Sequence, residues 1–148
     1  MSYFDRNFKP GCVIYWYCSF LHPHPKYKYL FVCCVKPLIL FPINSEITLY
    51  IKSKHLECTQ ISLQKSLHPF LKIDSYLDCH DVFGETSQLY KIKLEDIKND
   101  AINSDKIFIK GEINPDIIRQ VIETLSNGGK TLRKKDKELI IQSLSFYR

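Results

Sequence analysis

The sequence predicts an α+β fold, a small curved antiparallel sheet or barrel packed by C-terminal helices. Three observations predict it. As far as residue 111 the chain is a succession of short segments rich in β-branched and aromatic residues, broken by proline, glycine and polar turns. The turns between them are too short for the crossovers that a parallel sheet needs. After residue 114 the apolar residues recur at helical spacing instead.

Gly11 to Phe20 (Gly-Cys-Val-Ile-Tyr-Trp-Tyr-Cys-Ser-Phe) reads as the first strand. Leu21-His22-Pro23-His24-Pro25 cannot extend it, because two prolines remove ladder donors and fix the backbone. Lys28 to Lys36 is the second strand, apolar on both faces and therefore central. Pro37 marks a turn, and Leu38 to Ile43 forms the third strand. Glu46 to Lys52 alternates, with Ile47, Leu49 and Ile51 on one face, and predicts a fourth strand. His55 to Ile61 is expected to pair with it through a Ser53-Lys54 turn. Ser62 to Phe70 has no clear period. Tyr76 to Phe83 and Gln88 to Leu94 read as short strands around Gly84-Glu85-Thr86, Leu94 to Ala101 as one or two helical turns, and Lys106 to Lys110 as the last strand.

Asn114-Pro115-Asp116 then supplies a capping side chain, a proline in the first helical position and an acid in the first turn. Ile117, Ile118, Val121, Ile122 and Leu125 form one apolar face, and Ser126-Asn127-Gly128-Gly129 is the stop. A second helix is expected from about Leu132 to Ser145, burying Leu132, Leu139, Ile140 and Leu144. A chain of 148 residues accommodates one core of this size, so a single domain is expected, with the sheet over about 9–111 and the helices over about 114–145.

The longest mainly apolar run, Tyr29 to Val35, is strand-sized, far below the roughly 18 residues of a membrane span. The first residues lack the basic and apolar regions of a secretory signal, so a cytoplasmic protein is expected. In that compartment the six cysteines are expected to be reduced thiols serving as small hydrophobes. The formal charge of +5 is uneven: residues 1–45 carry five basic side chains against Asp5, and residues 128–148 carry six against Asp136 and Glu138. Such ends suit a polyanionic partner, although a solvated basic helix explains the same charge.

The order of the parts resembles the MazF/PemK (Kid) toxin family. Lys9-Pro10-Gly11-Cys12-Val13-Ile14-Tyr15-Trp16 is similar to the family's glycine-led first strand. Lys28-Tyr29-Leu30-Phe31-Val32 is similar to its basic residue opening an apolar second strand, and Pro42-Ile43-Asn44-Ser45 to its Pro-Ile-Thr-Ser signature. Ser75-Tyr76-Leu77-Asp78 and Lys110-Gly111-Glu112-Ile113 match later steps. The resemblance spans nearly the whole chain through short motifs. It implies an SH3-like barrel with added helices, a homodimer, and metal-independent cutting of single-stranded RNA through the neighbouring 2′-hydroxyl. It also implies a cognate antitoxin laid over the groove as an acidic extended segment.

That reaction needs a base, an acid and donors for the charged phosphorane. Where the family has arginine and threonine, this sequence has Lys28 and Asn44, with Ser45 supplying the adjacent hydroxyl. Lys28, Asn44, Ser45 and His24 are therefore the candidate catalytic residues, and His22, Lys26, Tyr27 and Tyr29 the candidate RNA-binding ones. Histidine changes charge near neutral pH, so His22 or His24 suits acid–base work; both equally suit an exposed, proline-stiffened loop. Tyr27 and Tyr29 suit stacking on bases, with Lys26 and Lys28 on phosphates, whereas Trp16 reads as core. The His22-x-His24 and Cys79-His80 pairs lack zinc-site spacing, and no glycine-rich phosphate loop is present, so no metal or cofactor is expected.

Two function classes follow. One is a toxin ribonuclease. The other is a non-catalytic barrel binding nucleic acid or a protein such as gyrase, as the related CcdB poisons do.

Overall fold

The computed structural model describes residues 2–103, 105–127 and 132–147. It is an α+β arrangement built on an antiparallel sheet of seven strands. A short helix α1 (Tyr3–Asn7) precedes strands β1 (Cys12–Cys18), β2 (Lys26–Cys34) and β3 (Ile39–Asn44). Helix α2 (Leu49–Ser53), a 3₁₀ turn at Glu57–Thr59, and strands β4 (Gln60–Leu63), β5 (Ser75–Asp78) and β6 (Phe83–Gly84) follow. Helix α3 (Leu94–Asn103), strand β7 (Ile107–Glu112) and helices α4 (Pro115–Ser126) and α5 (Lys134–Tyr147) complete the chain. The strand order is β4-β5-β3-β2-β1-β7, with β6 on β3. Among the described residues no pairing joins β4 to β7, so the sheet is open.

β2 is central as its two-sided apolar pattern predicts, since β1 and β3 flank it. Strand alternation splits its side chains between two cores. Val13, Phe31 and Phe41 face α4 and α5, meeting Val121, Leu125, Ile140 and Leu144. Ile14, Leu30 and Leu40 face the opposite way, toward Ile97 of α3 and Phe8 after α1. Phe31 and Phe41 are fully buried, each contributing roughly 1.5–3 kcal/mol by removal from water. The predicted cap of α4 is present: the Asn114 side chain accepts from the Asp116 N–H, and Ile117, Ile118, Val121 and Leu125 are buried. α5 starts at Lys134 and not at Leu132; its Ile140 and Leu144 are buried, and Leu139 and the preceding Leu132 are partly so. The expected Gly128-Gly129 stop lies outside the described residues.

Four strand expectations are corrected. Glu46–Lys52 is not a strand; its end forms α2, where the Thr48 hydroxyl accepts from the Ile51 N–H. The edge of β3 that a returning strand would need is occupied by β5, through Ile43↔Leu77 and Asn44↔Tyr76. Only Ile51 of α2 is buried, so the alternation at 47, 49 and 51 did not mark a buried face. The pairing of His55–Ile61 with that segment is replaced by β4 pairing β5, from Gln60↔Asp78 to Leu63↔Ser75.

Tyr76–Phe83 is two strands rather than one. The Asp78 carboxylate accepts from the main-chain N–H groups of His80 and Asp81, which turns the chain out of the sheet. Gln88–Leu94 is not a strand: 88–93 is a loop leading into α3, pinned by N–H bonds from Ile92 to the Gly84 carbonyl and from Gly84 to the Tyr90 carbonyl. Phe83 stacks on Tyr90 with ring centroids 4.3 Å apart. The helical turns predicted at 94–101 extend to Asn103.

The six cysteines are free thiols, all buried except Cys58. Burial pushes the Cys12 and Cys18 thiols up to about 12, so neither is a nucleophile near neutral pH. Trp16 is core, its indole N–H donating to Asp100 at 2.7 Å. Among the described residues no helix is long and apolar enough to cross a membrane.

Candidate functional site

The site forms where β3 ends before β2 does. β2 continues toward its start at Lys26 alongside β1 (Trp16↔Lys28, Cys18↔Lys26), while its last partner in β3 is Tyr29↔Ile43. Beyond Ile43 the chain turns away into Ser45 and Glu46, leaving Lys28 beside the last residue of β3. There the Lys28 ammonium donates to Asn44 Oδ1 at 2.7 Å. Asn44 Nδ2 in turn donates to Asp78 Oδ2 at 3.3 Å. The other Asp78 oxygen accepts from Gln60 Nε2 at 2.8 Å and from the His80 N–H at 2.9 Å. Asp78 is 2% exposed, so these three donors, together with the Asp81 N–H, replace the water it has lost.

This connected group separates two clefts, and Lys26, Lys28, Asn44 and Thr48 line both. The larger, of about 640 Å³, is bordered by His22, His24, Tyr50, Asp78, His80 and Asp81. The smaller, of about 540 Å³, is bordered by Tyr15, Tyr27, Tyr29, Ser45, Glu46 and Lys72. The sequence-predicted site residues thus divide. Lys28 and Asn44 touch; His22 and His24 stand exposed at one cleft; Tyr27, Tyr29 and Ser45 line the other.

Burial draws the Lys28 ammonium below its usual 10.5, and the neighbouring Lys26 charge acts in the same direction. Cys18, Asp78 and Asp81 oppose this. Burial raises the Asp81 carboxyl above its ordinary 3.8, assisted by Asp78 and opposed by His80 and Lys28. An amine made more acidic and a carboxylate made more basic therefore share one cleft, the pattern of an acid–base pair. His80 Nδ1 is buried without a hydrogen-bond partner among the described residues, while the ring lies 5.9 Å from that of Tyr50.

Asp78, His80 and Asp81 are the residues that sequence reasoning did not select as site members. The available signal was two aspartates, one at the end of a strand and one three residues later, the spacing of a side-chain-capped turn. No group of three His, Cys, Asp or Glu side chains among the described residues is arranged to hold a metal ion.

Three tyrosines, Tyr15, Tyr27 and Tyr29, wall the smaller cleft, and Tyr17 extends their row of ring contacts across β1 and β2. Tyr15 lies 4.9 Å from Tyr27 and 4.5 Å from Tyr29, and Tyr17 lies 5.2 Å from Tyr27. The Tyr27 and Tyr29 hydroxyls donate to the carbonyls of Asp105 and Phe70, which fixes both rings. No family model matches the chain, and no curated protein matches it significantly.

Proposed function

We propose that this chain is a metal-independent endoribonuclease of the MazF/PemK kind, cutting single-stranded RNA in the cytoplasm as the toxin of a toxin–antitoxin pair. The observation that carries this reading is the opposed perturbation of Lys28 and Asp81 in one cleft, tied together through Asn44 and Asp78. The motif order along the chain supports it independently. On this reading the open sheet is a variant of the SH3-like barrel, the working form is a homodimer, and an acidic antitoxin segment covers the clefts.

In the reaction the Asp81 carboxylate takes the proton of the RNA 2′-hydroxyl. The 2′-oxygen bonds to phosphorus as the bond from phosphorus to the 5′-oxygen breaks, and the Lys28 ammonium gives that oxygen its proton. The products are a 2′,3′-cyclic phosphate and a 5′-hydroxyl. Asn44 is a positioning residue that holds Lys28, while Lys26 adds charge and His24 a ring N–H donor at the phosphate. Ser45 meets the strand from the tyrosine side. Base, acid and charge partner are all side chains, so the chemistry as written requires no metal.

The test is incubation of long RNA with purified protein in chelator. Cleavage that falls at least 100-fold in Lys28→Ala supports the reading, a loss in the range typical of an acid–base group. Intact RNA at all protein concentrations overturns it. A second reading, a non-catalytic barrel that binds nucleic acid or a protein target, is favoured by one observation. Asn44 brings an amide, not a hydroxyl, to the Lys28 ammonium. Retained RNA or protein binding without any cleavage selects that reading.

A further inference from the structure

We infer that the tyrosine-lined cleft is a pocket for a single unpaired guanine base, selected by the carboxylate of Glu46. The inference rests on the RNA reading above and deepens it by naming what the substrate presents beside the cleaved phosphate.

Three features of the cleft carry the inference. Its wall is aromatic and rigid: Tyr27 and Tyr29 each pack on Tyr15, and both are anchored through their hydroxyls. A fixed aromatic wall takes a planar base without the ordering cost of a mobile one. Its rim is cationic, with Lys26, Lys28 and Lys72 placed for the phosphates on either side of that base. The lining holds one acid among the described residues, Glu46, exposed and without a hydrogen bond or ion pair among them. The nearby hydroxyls of Thr48 and Ser75 are already engaged, with the Ile51 N–H and the Ile73 carbonyl respectively.

A lone carboxylate in a basic cleft repels phosphate, so its place is explained by the donors of a base. The Watson–Crick edges decide which. Guanine alone offers two adjacent donors, N1–H and N2–H, that match the two carboxylate oxygens. Adenine and cytosine each offer one amino donor beside a ring acceptor that the carboxylate repels. Uracil offers one donor between two carbonyls. In a single strand this edge is free to be read. The Lys28–Asn44 bond forms the partition between this cleft and the one holding Asp81. A guanine seated against the tyrosines therefore leaves its own phosphate at Lys28.

The experiment measures binding of 2′-O-methyl heptanucleotides, uridine throughout except for the central base, by fluorescence anisotropy in chelator. The missing 2′-hydroxyl prevents cleavage, so recognition is read apart from chemistry. The expected result is roughly tenfold tighter binding for guanine than for adenine, cytosine or uracil, with inosine, which lacks the N2 amino group, falling between. Glu46→Gln, a surface change, is expected to bring the four bases to within about twofold of one another. Equal affinities in the wild type, a guanine preference that survives Glu46→Gln, or no binding at all overturns the inference. Cleavage of natural RNA with no base preference in binding sinks the guanine pocket alone. A guanine preference without any cleavage sinks the ribonuclease alone.

Discussion

Lys28 is a cation that the fold keeps partly out of water, and its hydrogen-bond partner is the neutral Asn44. Asp81 is the reverse, an acid whose ionised form is penalised by burial and by Asp78. Because its folded value lies above its unfolded one, ionising Asp81 costs stability as pH rises through the window between the two. Asp81→Asn should therefore raise the thermal midpoint at pH 7, and the gain should vanish at a pH well below 3.8, where the acid is neutral in both states. Differential scanning calorimetry of the two proteins at both pH values checks this, and no gain at pH 7 contradicts it. Lys28 and Asn44 are legible in the sequence because each stands at a motif position near a strand end, although β2 begins two residues earlier, at Lys26. Asp81 is not, because its role depends on a turn set by the Asp78 side chain, and the sequence reading continues the strand through that turn.

Helix α4 and the loop after β4 are joined by a buried side chain. His68 is fully buried; its Nε2 accepts from the Asn114 N–H at 3.1 Å, and its Nδ1 lies 3.0 Å from the Gln64 carbonyl. His68→Ala leaves the Asn114 N–H without this partner beside a cavity, while the Gln64 carbonyl keeps its main-chain bonds from Leu67 and His68, and should cost about 2–4 kcal/mol in urea unfolding. Asn114→Ala removes only the cap and should cost about 1 kcal/mol. Equal losses would show that the histidine contributes nothing beyond the cap.

Gly84 sets the end of the short strand β6. Its φ is +143°, and a Cβ there would lie 2.1 Å from the Leu38 carbonyl oxygen. Gly84→Ala should lower stability by at least ~2 kcal/mol, and an unchanged unfolding midpoint would contradict this placement. The α4 cap and the central position of β2 could be read directly, since both are written in residue types and local period. The fate of 46–52 could not, because it was settled by which strand took the free edge of β3.

Across the whole molecule, helices cover both faces of the sheet, and the clefts open where β3 stops beside a longer β2. The groups proposed for catalysis and for base binding thereby fall on the two sides of the Lys28–Asn44 bond. The measurement that tests this arrangement most directly is the pH dependence of single-turnover RNA cleavage in chelator. Asp81 must be ionised and Lys28 protonated, so the account predicts a bell. Its acid limb should lie above 3.8 and disappear in Asp81→Asn, and its alkaline limb should lie below 10.5. A rate that is flat across this range, or a profile that keeps its acid limb in Asp81→Asn, would contradict it.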